Sequence, residues 1–401
     1  MTTISGPAAG SAFDPFAAEQ RDDPYPSYAA LRDESPCVRL DRYGVWLISR
    51  YDGVAAVLRD WETFSSAQGA GLEPVATPEE GGVILSTDPP DHTRVRRAVA
   101  RDFTPKAIGA LEPRVRDLVG TAFERVLTGA EVDWIAQVAQ PVPTTVMAEL
   151  MGYPDRHRDE YCRWASTIFD SMGCPAGGAT PALAEATGGL FGFVAGIAAD
   201  GEYVAEGWAD RIVQAGAQGE LGQGEVVSLL GGILVAAMDT TVNMLGNLAH
   251  ALATHPEQWA LLVERPELVP SAIEEVLRFE SPIQPGFFRV TTTETTVADV
   301  TLPAGSRVMV AFGAANRDPR QFPDPDAFLV DRSPNDHLAF GRGVHFCLGA
   351  PVARMIGRVV LSELVANAAE IRLAGPSVRK TNRMLRGFDS LPLSVRNRSR
   401  R

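Results

Sequence analysis

"FGRGVHFCLG", residues 340–349, places one cysteine, Cys347, among glycines just ahead of an apolar segment, "APVARM", that reads as a helix. A cysteine so placed can accept backbone N–H bonds and feel the positive end of the helix dipole, and both favour the thiolate. Pro351 suits a first helical turn, where its missing donor goes unneeded. A lone cysteine is usually a small buried hydrophobe. Here the glycines weigh the other way, because they let the backbone approach a flat, bulky group closely. Cys37, Cys162 and Cys174 lie far off and in no metal-knuckle spacing, so Cys347 has to be explained alone.

The chain around it reads as globular. Its 401 residues, 45% of them hydrophobic, suffice for a large core. Lys plus Arg number 37 against 50 Asp plus Glu, a net charge of −13 that argues against a nucleic-acid or anionic-membrane binder. Four unpatterned cysteines fit a reducing cytoplasm better than a disulfide scaffold. The N-terminus shows no basic region followed by an apolar run, so no signal peptide or anchor is expected. The longest apolar stretch, "LLGGILVAAM" (229–238), is about half a bilayer span and reads as a buried core helix.

Helical periodicity dominates, with β-branched alternation confined to 37–50 and 297–313, so the expected fold is mainly α with a minor β-rich part. The Pro- and Gly-rich stretches 68–82 and 172–181 read as long loops or lids. No linker divides the chain, and residues 1–401 are expected to form one domain with short flexible termini.

Three further stretches carry candidate chemistry. Residues 225–255 should form a helix of about 30 residues, roughly 45 Å long, stopped by Pro256. Its one formally charged interior residue, Asp239, precedes Thr240. A carboxylate in an apolar helix is costly unless paired or used. A basic neighbour could bridge Asp239, and Thr240 could back-bond to its own helix. An acid beside a hydroxyl, with small Ala236 and Ala237 making room, suits proton delivery to a buried centre. In "EEVLRFESP", Glu275 and Arg278 stand one turn apart and can pair. In "DPPDHTRVRR", His92 and Arg96 share a helix face that can receive an anion, although a solvated basic helix end reads equally well.

In this order the stretches resemble the cytochrome P450 family, the haem-thiolate monooxygenases, from about residue 13 to about residue 395. "FGRGVHFCLG" fits the family's Phe-Gly-x-Gly-x-His-x-Cys-x-Gly loop, "EEVLR" its Glu-x-x-Arg helix and "AAMDTT" its oxygen-activation motif. The resemblance implies haem b between the long central helix and the Cys-loop helix, with Cys347 as axial ligand. It assigns the haem propionates to His92, Arg96, Arg289 and His345, proton relay to Asp239 and Thr240, and a structural role to Glu275 and Arg278. Two departures stand out: Ala327 replaces a usual arginine, leaving the Glu-Arg-Arg network short of a member or completed by Arg332, and Ala237 replaces a usual glycine.

The implied reaction inserts one oxygen atom of O2 into a small-molecule substrate. Electrons would come from NAD(P)H through a separate ferredoxin- or flavodoxin-type donor with its reductase, because no nucleotide fingerprint or cysteine cluster is appended. Arg354 and Arg358 could join a basic face that steers such a donor. A soluble cytoplasmic monomer without membrane or nucleic-acid partners is expected. A haem gas sensor or a peroxide-using haem enzyme would not need the acid–alcohol pair.

"RFESPIQPGFFR" and "LRGFDSLPL" look similar to the subgroup that demethylates para-substituted aromatic acids, with Phe169, Val235, Ala236, Phe287 and Phe388 expected to line a flat pocket. Val235 and Gly232 stand where that subgroup has serines for the substrate carboxylate, which points to a neutral aromatic ether. Tailoring of a terpenoid or macrolide is the alternative.

Overall fold

The computed structural model describes residues 13–74, 84–175 and 180–398. The loop readings for 68–82 and 172–181 therefore fall partly outside the described residues.

Helices form the body and strands a side layer. Five strands pair in the order Cys37–Leu40, Val45–Ile48, Arg307–Val310, Phe288–Thr291, Phe64–Ser65. The 37–50 hairpin closes as expected, with Gly44 at φ +65° supplying the turn. The 297–313 stretch divides instead: Val300–Leu302 pairs back on Thr295–Val297, while Arg307–Val310 joins the large sheet parallel to Val45–Ile48. Near the C-terminus, Val378–Arg379 pairs with Phe388–Ser390, bracketing residues 380–387 as a strap.

The central helix spans Gln223–Thr254, 32 residues. Its start is fixed where Glu225 accepts the Gly222 N–H at 2.8 Å and pairs with Arg94, and it ends against Pro256. Neighbours are keyed to it by polar tips: Trp134 Nε1 donates to Leu245 O and Tyr153 Oη to Leu230 O, both at 3.1 Å. By length and composition this helix and Pro181–Asp200 could cross a membrane, whereas the sequence suggested only a ten-residue run. In the fold the central helix runs through the main hydrophobic core, with most of the side chains from Met238 to Leu252 buried.

Candidate functional site

The Cys loop is shaped by a close approach. Gly343 takes φ +71°, and a Cβ there would strike the Leu58 carbonyl, so the loop can lie against residues 58–59 only with glycine at that place. The Cys347 N–H donates to Phe340 O at 2.8 Å, and the Cys-loop helix, Ala350–Asn367, starts three residues later. Burial pushes the Cys347 thiol up; N–H bonds from Gly349 and Ala350, with the charges of Arg96 and Arg354, pull it down and do not prevail. The helix-dipole reading alone thus underestimates desolvation. A metal cation at sulfur would reverse the balance, because a coordinating thiol ionises outright.

Beside the loop, the helix Asp91–Ala100 turns His92 and Arg96 inward. Arg96 donates to Val344 O at 3.2 Å and to Phe346 O at 2.6 Å, bracing the Cys loop. The rings of His92 and His345 lie 4.4 Å apart. Both nitrogens of His92 and Nε2 of His345 are buried without a hydrogen-bond partner. Arg289 is 3% exposed, and among the described residues its hydrogen bond goes to Phe288 O. Burial lowers Arg289 to about 10, and burial together with Arg289, His92 and Arg96 drives His345 far below the usual imidazole range. So many orphaned donors and so much uncompensated positive potential fit a flat group carrying two carboxylates, such as the propionates of haem b.

On the central helix, Ala236 is exposed and Val235, Ala237 and Thr240 are half-buried, although the turns after them are buried: small side chains face open space. Asp239 is 1% exposed. Burial raises its carboxyl, while Lys380, 3.2 Å away, and the Ser166 hydroxyl oppose the rise. Thr240 Oγ1 donates to Ala236 O at 2.7 Å. Both pairings open to these residues are therefore realised, the acid's with a lysine remote in sequence and the hydroxyl's within its own helix. Neither closes the site, since Asp239 Oδ2 is buried and unpartnered.

Phe169, Met384 and Leu385 form a small apolar cluster with Val235, Ile283 and Phe287 against it. Three pocket residues read from the sequence are thereby brought together. Phe388 is a correction: it is 1% exposed in the main core, its ring 4.7 Å from His250, because strand pairing turns it toward the central helix. The polar groups around the cluster are committed, Arg383 to Asp170 at 2.5 Å and Asn382 to the Ser166 carbonyl at 2.9 Å.

Arg278 meets Glu275 through two bonds of 2.8 Å, both side chains fully buried. Arg332 completes the network at 3.1 Å, and the Ala327 carbonyl accepts from both arginines, which settles the alternative left open at Ala327. Arg354 is not free on the surface: it forks onto Glu274 at 2.8 and 2.6 Å and covers the Phe340 ring. Sequence reading missed Glu274, Ser166 and Lys380. Lys380 had a signal, since only it and Lys106 are lysines among the 37 basic residues.

These features fit a protein built around a dianionic prosthetic group seated beside a buried cysteine. The Cytochrome P450 family matches residues 263–368. The chain is similar to Cytochrome p450 CYP199A2 of Rhodopseudomonas palustris, 35% identical over 98% of this chain and 97% of the relative. It is also similar to the mycinamicin IV hydroxylase/epoxidase of Micromonospora griseorubida, 35% identical over 91% and 94% of the two chains. The crystal structure of CYP109E1 from Bacillus megaterium in complex with testosterone matches with a TM-score of 0.85 at 29% identity, covering 94% of this chain and 99% of that one. The chain belongs to the cytochrome P450 family and is a haem-dependent monooxygenase.

Proposed function

We propose that this enzyme, a single domain over 1–401, oxidises a small neutral aromatic, with O-demethylation of an aryl ether as its characteristic reaction. Haem b, with Cys347 as its thiolate ligand, supplies the binding and reductive activation of O2. His92, Arg96, Arg289 and His345 hold its propionates. Asp239 carries protons inward and the Thr240 hydroxyl hands them on, for which it must leave its bond to Ala236. Phe169, Val235, Ala236 and Phe287 present an apolar wall to the substrate.

The observation that carries the substrate reading is the composition of that wall. Val235 and Gly232 offer no hydroxyl, and the neighbouring Arg383 is already paired. A substrate carboxylate buried there without partners would cost at least a few kcal/mol, orders of magnitude in affinity. Electrons come from NAD(P)H through a separate ferredoxin- or flavodoxin-type donor with its reductase. The docking face includes Arg97, Lys106 and Arg358, which form no ion pair among the described residues; Arg97 adjoins Arg96 at the Cys loop, and the short helix bearing Lys106 packs on the Cys-loop helix. A reducing cytoplasm agrees with the four free cysteines, and the enzyme works there as a monomer on this reading.

The test is a spectral titration of the purified enzyme with matched neutral and carboxylated aryl ethers, a terpene and a macrolide, followed by product analysis with surrogate donors. High-spin conversion and formaldehyde release with the neutral ether are expected. Tighter binding of the benzoate would refute the charge argument. A response to the terpene or macrolide alone would favour natural-product tailoring, the reading that the mycinamicin relative and the testosterone complex support.

A further inference from the structure

We infer that Lys380 is a movable counter-ion that decides when Asp239 is charged, and that water beneath the 380–387 strap supplies the proton. This rests on reading Asp239 as the proton donor of the site.

Four observations converge. The Lys380 ammonium lies 3.2 Å from Asp239 Oδ1 and 3.5 Å from Asp389 Oδ1. It thus stands between a buried carboxylate and one whose side chain is about half exposed. Secondly, lysine here breaks the habit of the chain, which uses arginine at every other basic position except Lys106. A compact ammonium on a flexible stem can change partners, whereas a guanidinium fork holds one geometry. Thirdly, the inner end is open. Asp239 Oδ2 has no partner, and Asn243, one turn further on, is fully buried with both side-chain polar atoms unsatisfied. A purely structural ion pair would have these groups closed. Fourthly, a cavity of about 30 Å³ lies under the strap, lined by Lys380 and Gly387 and by Gln20 and Gln284, whose Oε1 atoms are also buried and unpartnered. A water needs roughly 10–15 Å³ and polar partners, and this space offers both.

The titratable and charged groups facing Asp239 are Lys380, Asp389 and Cys162, with Ser166 beside Cys162 on the helix Tyr161–Met172. Cys162 is pushed up to about 11 and stays protonated. Lys380, unlike Asp239, lines that cavity; when it leans to Asp389, Asp239 loses its counter-ion in a buried setting and takes a proton from cavity water that follows the ammonium inward. It delivers that proton past Thr240, and the returning carboxylate draws Lys380 back. Bulk solvent reprotonates the cavity water. Net, one proton moves inward, and the carboxylate and ammonium are regenerated.

The test is infrared titration of the Asp239 carboxyl in the resting ferric holoenzyme, its band assigned by loss in Asp239→Asn. Lys380→Met should raise the titration by about one to three pH units, since it removes an opposite charge at close range. Asp389→Asn should lower it, since it removes both a repelling charge and the competitor for Lys380. Lys380→Arg should leave the Asp239 titration close to that of wild type yet enlarge the solvent isotope effect on turnover. Unmoved titration in Lys380→Met and Asp389→Asn, shifts in the same direction, or a wild-type isotope effect in Lys380→Arg would each overturn the inference. If Lys380→Met does not fold, the surface variant Asp389→Asn carries the test. Normal rate and coupling in Asp239→Asn would instead sink the proton-donor reading while leaving the titration result intact.

Discussion

Two buried carboxylates, Glu275 and Asp239, sit in equally dry surroundings and are treated in opposite ways. Glu275 accepts from Arg278, Arg332, Asn335 and the Leu329 N–H, so its oxygens are saturated. Asp239 shares one ammonium with a surface acid and keeps an oxygen free. The first arrangement fixes the segment that leads into the Cys loop. The second leaves a charged group able to change state, which a proton carrier requires. On the proposed reading, the saturated carboxylate belongs to the scaffold and the incompletely satisfied one to the proton path.

The largest effect should come from breaking the saturated side. Arg278→Ala strands Glu275 as an uncompensated buried charge, a loss of about 3–5 kcal/mol. Thermal unfolding and haem content should both collapse; a variant that unfolds like wild type would erase the contrast. On the open side the fold should survive and the chemistry suffer. Asp239→Asn should slow turnover by about 10²-fold or more with little change in melting. Thr240→Ala should keep consuming NADH while diverting electrons to hydrogen peroxide. Full rate in the first and full coupling in the second would leave the pair merely structural.

A smaller effect sharpens the comparison through pH. Burial would raise Glu274, but its bonds to Arg354 and His337 hold it at about 2, below its ordinary 4.5. Its contribution is therefore present above about pH 4.5 and is lost as pH falls toward 2. Glu274→Gln should flatten that part of the acid-denaturation curve, measured by melting temperature against pH, while stability at pH 7 falls. An unchanged acid limb would remove Glu274 from the scaffold.

Sequence reading reached the scaffold more fully than the open side, for a physical reason. The Cys loop, the Glu275–Arg278 pair and the long helix are local patterns whose spacing carries their geometry. Arg332 was within reach as a substitute because it lies five residues from Ala327. Lys380 pairs with Asp239 across a separation of 141 positions in sequence, and strand pairing at Val378–Arg379 brings it there. Phe388 was misplaced for the same reason, since the pairing that faces it to the core is not visible in its neighbours. The raised Cys347 thiol depends on burial, which no motif states.

The account turns on Cys347, and the most direct measurement is the carbon monoxide difference spectrum of the reduced holoenzyme, wild type against Cys347→Ser and Cys347→His. A thiolate-type band in wild type that is lost in both variants is the predicted result. A wild-type spectrum without the thiolate signature, or its persistence in Cys347→Ser, would contradict the assignment.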